Sequence, residues 1–526
     1  MRGFGMMGQN STMLMRFALA IIALAASFAS AQSLTLGTKL ELNTLDPHFF
    51  ASFPTGSSHQ YLYDHLVEYD EKLRLRPALA ESWKLLDDHT WEFRLRRDVV
   101  FHDGSPFTAD DVIFSIERVP NVPNSPNSFS QFTRGIESMR KNGDHSIVFR
   151  TRNPNPQFVE DMTNVFIISS RLPKDVSTAD FNAGKAAIGT GPYKLVEWVN
   201  GDRLVVERND RYWGGRPRWA RVTEKVIAKD PTRLAALLSG QVDAIDAVPI
   251  ADLERLRKEG RFGLFRGAAA LVQYIALDSA RDESPFVTAK DGKPLGRNPL
   301  KDVRVRKALS LAINREVIVK RVMEGSAVAA GQLLPEQFPG TSRTLKADPY
   351  DPARARALLM EAGWGEGFRI VLHATSDRYP NDSAIAQAIA QMWTRIGLKA
   401  EVEALPGAVF FTRASKQDFS AFTAQYGAEN GANSLRALVA RYDPAKGFGT
   451  ANRTRYSNPV VDNLLEEALA TMDEELRQDK LRRAVQFAMA DQPLVPVFYP
   501  IFDFATRKGL TLAPRPQRRF NALMIK

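Results

Sequence analysis

The chain has 526 residues, 44% hydrophobic and 25% charged, which is longer than one hydrophobic core usually serves and ordinary in composition for a globular protein, so domain-scale disorder is excluded. The formal charge is +10, but basic residues come as singletons and short clusters such as Arg94-Leu-Arg-Arg97 and Arg515-Pro-Gln-Arg-Arg519, which read as solvated faces and not as the concentrated stripe that nucleic acid needs. There is no cysteine, which excludes disulfide bonds, thiol catalysis and the lipid-bearing cysteine of an anchored lipoprotein.

In chain order, Arg16 precedes an apolar run from Phe17 to Ala26 that ends in Ala29-Ser30-Ala31, small residues at the positions a signal peptidase reads. The run is shorter than the roughly 20 apolar residues that span a bilayer, so residues 1–31 are expected to be a secretory signal cleaved before Gln32. Met13 or Met15 would serve equally well as its start. Cleavage would remove two positive charges, Arg2 and Arg16, and export makes nucleic acid a poor partner.

Leu34 to Leu40 alternates like a first strand, and Asn43 to His48 reads as the turn leaving it. Tyr61 to Val67 is expected to be helical. Trp91, Phe93 and Leu95 alternate with Glu92, Arg94 and Arg96, the period of a strand with one wet face. A turn follows at Asp103-Gly104-Ser105-Pro106. Thr108 can then cap a helix, with Asp111 placing negative charge at its positive end and Val112, Ile113, Phe114, Ile116 and Val119 forming its buried face. Pro120 to Asn127 is a loop.

Gly189-Thr-Gly191-Pro192 lacks the third glycine of a dinucleotide fingerprint and is expected to be a tight turn. Thr232 to Ser239 reads as a short helix and Gly240 to Val248 as the strand after it. Leu300 to Met323 carries Ala308, Leu309, Ala312 and Ile313 at helical spacing. Ser383 to Ile396 is a helix stopped by Gly397, Lys399 to Glu403 a strand, and Glu474 to Ala490 a late helix. This alternation is what an α/β fold needs.

No catalytic centre emerges. The seven histidines show no pair at metal-ligand spacing on an expected helix, and there is no G-x-S-x-G elbow. The carboxylate pairs Asp87-Asp88 and Asp110-Asp111 stand in a turn and at a helix start, where structural roles explain them. Neither cofactor nor metal is expected, and the chain is not expected to be an enzyme.

Five segments carry a family resemblance, and they lie in that family's order. They are Ala78 to Val119, Ile188-Gly-Thr-Gly-Pro-Tyr-Lys-Leu-Val-Glu-Trp198, Leu300 to Glu316, Tyr350 to Leu359, and Arg455-Tyr-Ser-Asn-Pro459. Together they resemble the peptide/nickel-type (family 5) extracytoplasmic solute-binding proteins of ABC importers, which include dipeptide- and oligopeptide-binding members.

The resemblance implies an α/β periplasmic-binding-protein-like fold (type II, cluster C), with two lobes, a hinge, a ligand cleft and an extra subdomain. Residues 32–75, 188–270 and 493–526 would form lobe I, 76–187 the extra subdomain or lobe II, and 271–492 lobe III. It implies a monomeric periplasmic protein, not a lipoprotein, that passes short peptides or peptide-like solutes to an inner-membrane ABC permease and its ATPase. The same scaffold could hold a nickel chelate, an opine, an oligosaccharide or haem; a periplasmic enzyme or chaperone is the remaining alternative. A nickel chelate would need only one protein imidazole.

Peptide binders of this kind hold the ligand's α-amine with an acidic side chain just after a strand, in G-x-x-x-D followed by Asp-Pro. Here Ala424-Gln-Tyr-Gly-Ala-Glu-Asn-Gly-Ala-Asn433 lacks both, and Glu429 is expected to supply the charge, flanked by Tyr426, Gly427, Ala428 and Asn430. Arg378 could clamp a ligand carboxylate beside Tyr379, and Phe49 and Tyr426 could serve as aromatic walls. Gly407 stands near the tryptophan of dipeptide binders, which implies a differently shaped or larger pocket.

Overall fold

The computed structural model describes residues 33–50, 57–71, 73–125, 128–516 and 519–526; the expected signal segment lies outside them, as do two residues of the Pro120–Asn127 loop. The first strand, β1 (Ser33–Thr38), buries Leu34 and Leu36. A hairpin of β2 (Val67–Tyr69) and β3 (Leu75–Pro77) follows. Then come β4 (Ala80–Asp87), β5 (Thr90–Leu95), β6 (Ile136–Lys141) and β7 (Ser146–Thr151), an antiparallel sheet in the order β4-β5-β7-β6. Phe93 and Leu95 are buried in its core while Arg94 is exposed, matching the expected alternation.

The helix Ala109–Arg118 begins where Thr108 predicts. Val112, Ile116 and Val119 are buried; Ile113 and Phe114 are only half-buried. Asp111 does more than bias the helix end. Its buried carboxylate accepts the Thr108 N–H at 2.7 Å and the backbone N–H and hydroxyl of Ser170 at 2.7 and 2.8 Å, tying the helix start to a distant loop.

The chain then adds a meander of β8 (Tyr193–Val199), β9 (Arg203–Arg208) and β10 (Arg221–Val226), with β10 parallel to β1. β11 (Ala244–Ile245) and β12 (Phe262–Ala268) complete the first large sheet. A second is built from β13 (Leu271–Leu277), β14 (Val287–Thr288), β15 (Ala327–Ala329), β16 (Arg369–Thr375), β17 (Lys399–Leu405) and β18 (Ala421–Gly427), with helices on both faces. The long β19 (Leu494–Arg507) pairs β13 and β15 through its first half and β11 and β12 through its second. It thereby joins both sheets into one continuous 13-stranded sheet. The result is a two-lobed α/β fold with an added four-stranded subdomain.

Three sequence expectations change. Tyr61–Val67 is not helical, because its backbone is spent on other segments: Leu62 O accepts from Gly191 N–H, Tyr61 O from Tyr193 N–H and Asp64 O from Ile167 N–H. The strand expected over Gly240–Val248 shrinks to Ala244–Ile245, since the fully buried Arg233 guanidinium takes the Asp246 and Ala247 carbonyls at 3.0 and 2.6 Å. The helix expected over Leu300–Met323 breaks after Leu311, where the Asn314 side chain caps a new turn by accepting the Val317 N–H at 3.0 Å.

The Gly189-Thr-Gly191-Pro192 turn is pressed against the Tyr61–Asp64 backbone. A Cβ on Gly189 would lie 1.9 Å from Leu62 O, and one on Gly191 2.5 Å from Tyr61 O. His102 clasps the turn, with its Nε2 3.0 Å from Gly191 O. Gly189→Ala is therefore expected to lower the melting temperature sharply or prevent folding, at a cost of about 3 kcal/mol or more. Gly135→Ala, where the new methyl meets nothing within 4 Å, should melt like the parent. Equal melting of the two variants would refute this packing.

Candidate functional site

The site grows from the end of β18. After Gly427 the loop Ala428–Asn430 leads into the helix Gly431–Leu438, and Asn430 is its N-cap, accepting the Asn433 N–H at 2.9 Å. The other end of the same carboxamide donates across to Glu160 Oε2 at 2.6 Å, in the helix Phe158–Asp161 of the four-stranded subdomain. One side chain thus starts a helix in one lobe and touches the other. Gly431 is required here: its N–H donates to Pro339 O at 2.7 Å, and a Cβ would meet Gly340 O at 2.3 Å.

Between the lobes lies a cavity of about 560 Å³, within the roughly 300–1,000 Å³ typical of small-molecule sites. Tyr426, Gly427, Ala428, Glu429, Arg436 and Tyr442 line it from the β18 side. The facing wall comes from Phe129, Phe132, Arg134, Thr163 and Phe166. His65, Tyr69 and Arg519 close the third side, with His65 stacked on Phe166 at a centroid distance of 3.9 Å. Arg134 also donates to Lys446 O at 3.0 Å, a second contact between the lobes.

The crossing segment between β12 and β13 supports two of these walls. Ala428 N–H donates to Ala270 O at 3.1 Å, and Ala270 N–H donates to Pro516 O at 3.0 Å. The Glu429 loop and the tail that carries Arg519 therefore hang from one peptide-linked residue.

Burial dominates the electrostatics. It raises the Glu429 carboxyl above its ordinary range, against the pull of Asn433, Arg519 and Arg436. It also pushes Glu160 and Asp161 up to about 7 each, partly offset by hydrogen bonds from Asn430 and Asn155 respectively. The same desolvation pushes Arg519 down to about 10, although Glu68 and Glu429 favour its charge. A half-buried carboxyl beside half-buried guanidiniums can hold both an amine and an acid group of one ligand.

Of the sequence-expected residues, Tyr426, Gly427, Ala428 and Glu429 come together on the cavity wall, and Asn430 stands beside them as the lobe contact. Arg378 and Tyr379 do not line it. Arg378 is exposed, and the backbone N–H groups of both donate to Asp382 at 3.2 and 3.3 Å. Phe49 is half-buried outside the wall, its carbonyl accepting from the Ser125 hydroxyl at 2.7 Å. Gly407 opens the helix Gly407–Ser415 beside Asp377, also away from the cavity.

Sequence reasoning missed Arg519, Arg436 and Arg134. The Arg515–Arg519 cluster reads as a solvated face, but Arg519 is half-buried in the cavity wall, a correction with a visible physical cause. The next residues, Phe520, Ala522, Met524 and Ile525, are buried in the first core and drag the arginine inward with them. That apolar ending was the available signal. Among the described residues no group of three or more metal-binding side chains gathers. His48, His59 and His102 are pushed down to about 4 by burial and lie against backbone carbonyls.

The fold and the interlobe cavity define a protein built to enclose a small solute. The family model "Bacterial extracellular solute-binding proteins, family 5 Middle" matches residues 74–440, and the chain belongs to this family. It is 26% identical to a dipeptide-binding protein of Escherichia coli (strain K12), over 98% of each chain. It is 27% identical to heme-binding protein A of Haemophilus influenzae, over 85% of this chain and 83% of that protein. NikZ from Campylobacter jejuni, solved in complex with Ni(L-His), has the same fold, with a TM-score of 0.78 and 23% identity over 94% of this chain and 99% of that one.

Glu160 gives the lobe contact a pH signature. Its folded-state pKa of about 7 exceeds the ordinary 4.5, so the folded form binds the proton more tightly. Its stabilising share is whole below about pH 4.5 and is lost as the pH rises through about 7. Relative to Glu160→Gln, the parent should lose stability on the order of 1 kcal/mol between pH 5 and pH 8 in urea melts. Parallel stability curves for the two proteins would contradict this.

Proposed function

We propose that the protein is the periplasmic capture component of an ABC importer, closing as a monomer on a short peptide or peptide-like solute and delivering it unaltered to a permease and its ATPase. The observation that supports this most is the presence, in one interlobe cavity, of the Glu429 carboxyl after β18 together with Arg134, Arg436 and Arg519. A zwitterionic ligand needs both signs of charge in one desolvated space, and an ammonium buried without a counter-ion would be costly. Family membership and the named dipeptide-binding relative agree with it. The aromatic rings around the cavity can cover side chains of varied shape, while water fills the remaining space.

Binding should raise the melting temperature of the purified protein with a panel of short peptides, since a ligand of the folded form alone stabilises it. Glu429→Gln should weaken an amine-bearing ligand roughly 10- to 100-fold, the loss of about 1.5–3 kcal/mol in a charge-assisted hydrogen bond. N-acetylation of the ligand should abolish the difference between the two proteins. Mass spectrometry of the released ligand should show no change; turnover would instead mark an enzyme.

A second reading rests on His65, which burial keeps neutral and which lies on the cavity wall. A neutral imidazole there could complete a metal chelate. In calorimetric titrations, binding of a nickel–histidine complex that is lost in His65→Ala would favour it. Equal binding by both proteins would remove it.

A further inference from the structure

The charges on the cavity wall are unequal. Arg134, Arg436 and Arg519 face it, and Glu429 is the one carboxylate lining it among the described residues. Neither Arg436 nor Arg519 donates a side-chain hydrogen bond or forms an ion pair among the described residues. The carboxylates just behind the wall are already engaged: Glu160 by Asn430, Asp161 by Asn155, and Glu68 by Arg76. Asp161 lies in electrostatic reach of Arg436 and Arg134 but bonds neither.

Two half-buried guanidiniums without acceptors carry a desolvation cost that water relieves only in part. An anionic ligand group would remove that cost, because the planar fork of arginine matches a carboxylate with two parallel hydrogen bonds. Further positive charge backs the same region. The Arg455 guanidinium lies 3.6 Å from the ring centroid of Tyr442, and Arg453 and Arg515 act on neighbouring groups.

We propose that the cargo is an acidic peptide-like compound carrying one amine and at least two carboxylates, with Glu429 taking the amine and Arg436 and Arg519 each taking an acid group. The inference rests on the reading that this cavity holds a peptide-like cargo. It goes further by fixing the ligand's charge. Uncharged or basic dipeptides of the same length would leave one guanidinium unpaired.

The probes are L-Glu-L-Glu, L-Gln-L-Gln, which has nearly the same shape, and L-Lys-L-Lys, measured by calorimetry at low and at physiological salt. Glu-Glu should bind at least tenfold tighter than Gln-Gln, and Lys-Lys weakest. Arg519→Met should weaken Glu-Glu about tenfold, and weaken it more than it weakens Gln-Gln, whose one carboxylate can still reach the remaining guanidinium. Arg436→Met provides the same test if the first variant does not fold. Saturable binding of Gln-Gln or Lys-Lys as tight as that of Glu-Glu overturns this inference alone. No saturable binding by any of the three overturns it together with the peptide-like reading.

Discussion

The acidic and basic groups of the cavity are held in register by the backbone of Ala270. This residue sits on the crossing between the two large sheets, accepts from Ala428 with its carbonyl and donates to Pro516 with its N–H. Backbone pairs of this kind are obligatory once buried, so neither loop can drift without leaving a polar group unpaired. The acid of Glu429 and the base of Arg519 are therefore placed relative to each other by the hinge itself. A hinge that holds the recognising groups keeps them in register whether the lobes are apart or together.

The second tie between the sheets, Leu494–Arg507, is suited to bending. Pro496 and Pro500 interrupt its ladder because neither has an N–H to give, and the pairing with β13 shifts register between Gln273 and Tyr274. On either side of these points the strand is fully committed to one sheet or the other. Two polar contacts join the lobes across the cavity, Asn430 with Glu160 and Arg134 with Lys446 O. Such contacts hold a closed state lightly. A ligand needs to favour closure by only a few kcal/mol to dominate the balance.

Local chemistry was the legible part of the sequence. Thr108 and Asp111 mark a helix start because the capping interaction spans only three residues, and Gly189 and Gly191 mark a turn, although the backbone it presses against shows only in the fold. Glu429 was visible only because a family resemblance pointed to the place just after a strand. Tyr61–Val67 misled because its apolar spacing suits a helix, while the partners that claim its carbonyls lie more than a hundred residues away. Arg519 was missed for a related reason, because its signal lay in the apolar residues after its own cluster. Nothing within the cluster Arg515–Arg519 says which face is wet; the burial of Phe520 and Met524 decides it, and that is a tertiary fact. Arg378 fails in the opposite direction, since its loop was correctly seen as a strand-to-helix connection, but Asp382 ties the backbone there and the guanidinium points to solvent.

What unites the hinge, the polar lobe contacts and the two-signed cavity is closure around a cargo. Small-angle X-ray scattering across a ligand titration tests this most directly. The radius of gyration should fall and level off at the same ligand concentration that saturates calorimetric binding. A ligand that saturates the cavity while the radius stays constant would contradict it.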